Sequence, residues 1–316
     1  MPERIPLPVV AGPTASGKTG LAVALAKALN GEVVSADSMQ VYDGLRVGTA
    51  RPTDEEMGGI PHHLLGFLPL AEKYSVARYM EDAAAAIAGI LEWERQPILC
   101  GGTGLYIQSL LENRRYAPGG GTDKLREALL VRAEREGGEA LLRELEKGDP
   151  ETAARLHPND TGRIVRALEL LYATGLTMSE QVRRSHPEPS PYAACLLVLD
   201  ARDRQVLYDR INRRTDAMLQ KGLLEEAELA LRLSSGSTAV QAIGYKELAP
   251  YFEGVLSLEE AVENLKRQTR RYAKRQLTWF RRMARLEAAH FLYIDDYPDA
   301  AALADTALTL LRRELF

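Results

Sequence analysis

The chain has 316 residues, enough for one large or two ordinary domains with a sizeable core. Its 46% apolar and 27% charged content is that of a globular protein, and a net charge of −4 excludes a uniformly basic nucleic-acid coat while leaving room for a local basic patch. No apolar run reaches the ~18 residues needed to span a bilayer, the start Met-Pro-Glu-Arg-Ile-Pro lacks a secretory pattern, and two cysteines, Cys100 and Cys195, cannot build a four-ligand metal site. The expectation is a cytoplasmic protein with no membrane partner.

The apolar run Leu7 to Ala11 reads as a buried strand, and an Ala- and Leu-rich helix runs to about Leu29. Between them, Gly12-Pro13-Thr14-Ala15-Ser16-Gly17-Lys18-Thr19 is a G-x-x-x-x-G-K-[ST] loop in the strand, loop, helix context that gives the pattern meaning. Its glycines let successive N–H groups turn toward one anion. Lys18 supplies a point charge, Thr19 an oxygen for Mg²⁺, and the helix N-terminus a favourable dipole. The pattern predicts a phosphate guest without saying which one.

A second strand, Glu32 to Ser35, ends in Asp37-Ser38-Met39-Gln40-Val-Tyr42. In a doubly wound sheet the parallel strands end on one edge, so Asp37 faces the phosphate region and is a candidate for chemistry, or else caps a turn. His62 and His63 are adjacent on a strand, point to opposite faces and make a poor metal pair. A helix over Ser75 to Arg95 and a short strand, Pro97 to Cys100, lead into a second glycine turn, Gly101-Gly-Thr-Gly-Leu-Tyr106, where Thr103 is the side chain able to hydrogen-bond a reacting group.

The glycine run ending at Thr122 and the proline-rich stretch Ser185 to Pro191 interrupt the α/β rhythm. Residues 122–187 between them read as a helical insertion, with Asp149-Pro150 starting one helix and Thr177 with Glu180 forming a capping box. Arg163 and Arg166 share a helix face there. The sheet resumes with Ala194 to Asp200, then one long helix is expected from about Asp203 to Leu233, with Arg210 and Arg214 stacked four apart and aimed at a pyrophosphate. Asp200 alternatively reads as the Mg²⁺-holding acid of a nucleotide hydrolase. A helix from Ser257 to Leu286 carries nine cations from Lys266 to Arg285, with Tyr272, Trp279 and Phe280 interleaved and no acid among them. Arg270, Arg271 and Lys274 are its central candidates for a nucleic-acid contact. A last strand, His290 to Ile294, and a helix from Pro298 to Leu315 follow. The fold expectation is α/β: a P-loop NTPase-like doubly wound parallel sheet, residues 1–121 and 188–316, with a helical insertion domain at 122–187.

These stretches, together with Gly48-Thr-Ala-Arg-Pro52, His157-Pro-Asn-Asp160, Arg166-Ala-Leu-Glu169, Ile243-Gly-Tyr245 and Thr269-Arg-Arg-Tyr-Ala-Lys-Arg-Gln-Leu-Thr-Trp279, resemble the bacterial tRNA dimethylallyltransferases in order and over nearly the whole chain. The resemblance implies transfer of a dimethylallyl group from dimethylallyl diphosphate to N6 of the adenosine 3′ of the anticodon. It implies that Gly12 to Thr19 holds an isoprenoid diphosphate, with Asp37 as general base, Thr103 positioning the reacting groups and Arg214 clamping the diphosphate. Lys18 and Mg²⁺ on Thr19 stabilise the leaving charge.

It further implies tRNA contacts at Asp37, Ser38, Met39, Gln40 and Thr103, at Gly162, Arg163, Ile164, Val165 and Arg166, at Gln241, Ile243, Gly244 and Tyr245, and at Arg126. The partner is the tRNA anticodon stem-loop, met by a monomer. An adenylate isopentenyltransferase and a P-loop small-molecule kinase are the alternatives; neither needs the basic aromatic helix.

Overall fold

The computed structural model describes residues 4–116, 122–185, 189–233, 243–284 and 289–316. They form two compact units, Met1–Leu111 with Ser190–Phe316, and Glu112–Pro189. The first unit begins with β1 (Ile5–Ala11), α1 (Lys18–Ala28), β2 (Gly31–Ser35), α2 (Asp54–Met57), β3 (His62–His63), α3 (Val76–Glu92), β4 (Gln96–Gly101) and α4 (Gly104–Leu111). The second unit is helical: α5 (Asp123–Glu136), α6 (Gly138–Gly148), α7 (Pro150–Ala153), α8 (Thr161–Thr174) and α9 (Met178–Arg184). The chain then returns to the first unit as β5 (Tyr192–Asp200), α10 (Arg204–Gln220), α11 (Leu223–Leu233), α12 (Ala249–Phe252), α13 (Leu258–Met283), β6 (Ala289–Tyr293) and α14 (Ala300–Leu315).

The six strands are parallel in the order β3-β2-β4-β1-β5-β6. Strands covered on both faces need apolar side chains at every position, which is why they read as continuous runs rather than alternations. Leu7, Val9 and Ala11 of β1 join the core on one face with residues of α3 and α4. Val10 points the other way, into the core shared with α1 and α14. Because β4 lies between β1 and β2, the chain segments leaving these three strands are neighbours on one edge.

The helices start and stop for identifiable reasons. Thr53 and Glu56 form a capping box around α2, a short helix absent from the sequence expectation. The single helix expected over 203–233 is two helices, because Gly222 takes φ +93° after Gln220 and breaks the run. In the second unit the expected starts hold: Asp149 caps α7 through Thr152 N, and Thr177 with Glu180 caps α9. That unit has its own core, in which Leu141, Leu145, Ile164, Val165 and Leu168 are fully buried. Its boundary at Glu112 precedes the expected 122, since Asn113 donates to the Pro189 carbonyl and Arg115 N to the Ser185 carbonyl.

Candidate active site at the sheet edge

The phosphate loop is built by backbone conformation. Gly12 sits at φ +145° and Gly17 at φ +93°, both regions where a side chain is strained. The Pro13 carbonyl gathers the loop inward, accepting from Ser16 Oγ at 2.8 Å and from Lys18 Nζ at 2.7 Å. The amides of Ala15, Gly17, Lys18 and Thr19 have no hydrogen-bond partner among the described residues, which is the arrangement an anion needs. Burial, opposed by Cys100 and Asp37 and reinforced by Arg214, pulls the Lys18 ammonium down to about 8. Thr14 departs from the expected cradle, because its N–H is already given to Gln276.

Asp37 leaves β2 in a turn fixed by its own side chain. Its Oδ1 accepts from Met39 N at 2.9 Å and Gln40 N at 3.3 Å. The second glycine turn presses against the same turn: Thr103 N donates to the Ala36 carbonyl, Ser38 N donates to Thr103 Oγ1 at 3.0 Å, and Thr103 Oγ1 donates to Ser38 Oγ at 3.3 Å. The Asp37 carboxylate lies within electrostatic reach of Lys18 and of Arg214. Burial lowers the Arg214 guanidinium below its usual range, with Asp37 and Glu56 opposing. The sheet edge thus gathers Asp37, Thr103, Lys18 and Arg214, four residues expected to work together. Arg210 lies beside the loop too, with Nη1 3.9 Å from where a Gly17 Cβ would stand.

Two residues that the sequence did not single out hold this edge together. Gln276 of α13 is 6% exposed; its Oε1 accepts from Thr14 N and its Nε2 donates to the Gly102 carbonyl, each at 2.9 Å. Removing a buried amide of this kind leaves two backbone groups unsatisfied, at about 1–3 kcal/mol each. Glu226 of α11 accepts from the amides of Arg46, Val47 and Gly48 and from the Tyr245 hydroxyl. The loop it fixes presents the Thr49 and Ala50 carbonyls to the Gln40 side chain, which links it back to the Asp37 turn.

Several expected contacts need correction. Ile164 and Val165 have no exposed surface; they are core residues of the second unit that leave Gly162 and Arg163 exposed. Tyr245 is fully buried, lies against Gly48 and bonds Glu226, while the Gly244 amide is taken by Glu247. The Tyr245 side chain thus supports the loop at Gly48 from behind. Ile243 is half-buried against the core, and Gln241 lies outside the described residues. Arg126 and Arg166 both donate to the buried Glu169.

The basic helix is also less uniformly free than its composition implies. Lys266 pairs with Asp216 at 2.7 Å, and the half-buried Arg270 donates to Asn212 at 2.8 Å. Arg281 pairs with Asp200 at 2.9 Å. Arg271, Lys274, Arg275 and Arg282 are exposed, Arg275 lying over the Tyr272 ring, and Arg285 is outside the described residues. Asp200 itself is 2% exposed, and both its oxygens accept hydrogen bonds, from Arg281 and from Ala201 N. His62 and His63 take structural partners, the Ile60 carbonyl and Glu32.

Similarity to known proteins extends over nearly the whole chain. The sequence model of the family described as IPP transferase matches residues 40–283. A tRNA dimethylallyltransferase of Thermoanaerobacter sp. (strain X514) is 43% identical over 98% of this chain and 99% of its own. That of Bacillus subtilis (strain 168) is 46% identical over 87% and 88%. The crystal structure of the full-length tRNA isopentenylpyrophosphate transferase of Bacillus halodurans superposes with a TM-score of 0.72 at 42% identity, covering 98% of this chain and 96% of that one. A eukaryotic dimethylallyltransferase acting on tRNA gives 0.78 at 30% identity, covering 96% and 77%. Matched from Gln40 through the basic helix, and nearly coextensive with these relatives, the chain belongs to the IPP transferase family.

Proposed function

We propose that the protein transfers the dimethylallyl group of dimethylallyl diphosphate to N6 of the adenosine 3′ of the anticodon in tRNA, releasing diphosphate. The observation that carries this reading is the meeting, at one sheet edge, of a loop with open amides and a carboxylate held in its own turn, Asp37 lying within electrostatic reach of Lys18 and Arg214. The curated relatives bear the name of that activity over nearly their whole length.

The adenine N6 amine is a weak nucleophile because its lone pair is delocalised into the ring. As N6 bonds to the allylic C1, the C1–O bond breaks and the diphosphate leaves with the electron pair. The N6 proton passes to the Asp37 carboxylate, a transfer typically worth about 10² to 10⁴ in rate. Lys18, Arg214 and the unpartnered loop amides meet the charge that grows on the diphosphate.

Mg²⁺ fits this arrangement. The Thr19 hydroxyl stands in the first turn of α1 without a protein partner among the described residues, and no cluster of three acidic, His or Cys ligands competes for the ion there. Such an ion is commonly held by one protein oxygen together with substrate phosphates and water. When bound, it neutralises diphosphate charge.

The RNA side of the reading rests on the exposed Arg271, Lys274, Arg275 and Arg282 of α13 and, in the helical unit, on Arg163. Nucleoside analysis after incubating the protein with Mg²⁺, dimethylallyl diphosphate and an anticodon stem-loop tests it. N6-dimethylallyladenosine is expected, and replacing the adenosine 3′ of the anticodon by guanosine is expected to abolish it. Product from the guanosine RNA contradicts the assigned acceptor.

A further inference from the structure

Gln276 does more than fill space. It sits on the inner face of α13 with Ala273, Leu277 and Phe280, while Arg271, Lys274 and Arg282 occupy the outer face of the same helix. Its amide joins the two glycine turns directly, accepting from Thr14 N in the first and donating to the Gly102 carbonyl in the second. The fit leaves no slack: a Cβ at Gly102 would stand 2.3 Å from Gln276 Nε2. Nearby on the helix, Trp279 packs on Gly104 and Arg281 pairs with Asp200 at the end of β5, so α13 is fastened to the sheet edge at several points.

We propose that Gln276 is a positioning residue that couples RNA binding on the outer face of α13 to diphosphate binding in the loop behind it. The proposal rests on the reading given above. RNA held on the outer cations fixes the helix, and the Gln276 amide passes that constraint to Thr14, where the phosphate loop begins, and to Gly102, which precedes Thr103. Thermodynamic linkage makes the effect reciprocal, so diphosphate tightens RNA by the same factor.

The test is calorimetric titration of the full chain with inorganic pyrophosphate and Mg²⁺, with and without an unmodified anticodon stem-loop RNA. Wild-type protein is expected to bind pyrophosphate about tenfold more tightly with RNA present, within the range usual for coupled sites. In Gln276→Met, which keeps the bulk and loses both hydrogen bonds, that ratio falls to about one while RNA affinity measured alone is unchanged. Gln276→Glu keeps an acceptor for Thr14 N and loses the donor to Gly102; it is expected to lose most of the ratio and serves if the methionine variant does not fold.

A lowered melting temperature with the wild-type ratio intact makes Gln276 merely structural and overturns the proposal. A wild-type ratio of one overturns the coupling itself. Wild-type protein that binds the RNA and no pyrophosphate overturns the proposed function and the coupling with it.

Discussion

Two glycine-rich turns leave neighbouring parallel strands, and they need glycine for different reasons. After β1, conformation decides at Gly17, which takes φ +93° with only Arg210 nearby and open amides around it, while Gly12 combines φ +145° with a close approach, 2.7 Å from its would-be Cβ to the Leu199 carbonyl oxygen. After β4, space decides: a Cβ would stand 2.1 Å from the Ala36 carbonyl oxygen at Gly101, and 2.4 Å from Trp279 Cδ1 at Gly104. The first turn is shaped to receive an anion. The second is shaped to be packed against, and Thr103 is the polar side chain it offers. Glycine at a sheet edge is therefore a sign of close approach, and only the direction of the amides says whether a ligand or the protein itself does the approaching.

Asp37 stands between the two turns, held by the second and facing the charges of the first, so its removal has the largest expected effect. Asp37→Ala should lower turnover by about 10² to 10⁴ while RNA affinity changes little. Near wild-type turnover removes Asp37 as the base.

The glycines separate next. Gly102→Ala forces Gln276 to move and is expected to cost about 1–3 kcal/mol of stability, read as a fall in melting temperature. Gly17→Ala meets open space and carries a left-handed backbone cost of about 1–2 kcal/mol, with its main effect a raised KM for the diphosphate. Equal profiles for the two variants erase the distinction between the turns.

The first turn also has a pH signature. Burial lowers Lys18 to about 8, so the free protein carries that charge below this pH and loses it above. The kcat/KM for the diphosphate is expected to fall above about pH 8, by up to tenfold per unit, and Lys18→Arg, which stays charged, should remove that limb. An identical fall in Lys18→Arg assigns it to another group.

The smallest effect concerns the outer face of α13. Arg271→Glu with Lys274→Glu should weaken RNA binding and flatten its logarithmic salt dependence by about 0.7 for each single-stranded phosphate that is no longer neutralised. An unchanged slope makes that face a solvated one.

The parallel sheet, the phosphate loop and the meeting of the Asp37 turn with the Thr103 turn are legible in the sequence because each follows from local pattern plus one topological rule: parallel strands end on one edge. What escaped was carried by single side chains acting across the chain. Gln276 and Glu226 look like ordinary polar residues on helices, and nothing local reveals that their partners are backbone groups of distant loops. Ile164 and Val165 were grouped with their charged neighbours, although apolar residues between Arg163 and Arg166 on a helix belong to its buried face. The basic helix was overcounted because charge compensation came from Asp200 and Asp216, outside the run.

The most direct measurement is to incubate the purified protein with Mg²⁺, radiolabelled dimethylallyl diphosphate and unmodified tRNA, with free AMP as a parallel acceptor. Label in the tRNA alone is the expected result. Label in AMP alone contradicts it and moves the chemistry to a free nucleotide, and label in neither acceptor, with ATP turned over in a parallel reaction, contradicts it in favour of phosphoryl transfer.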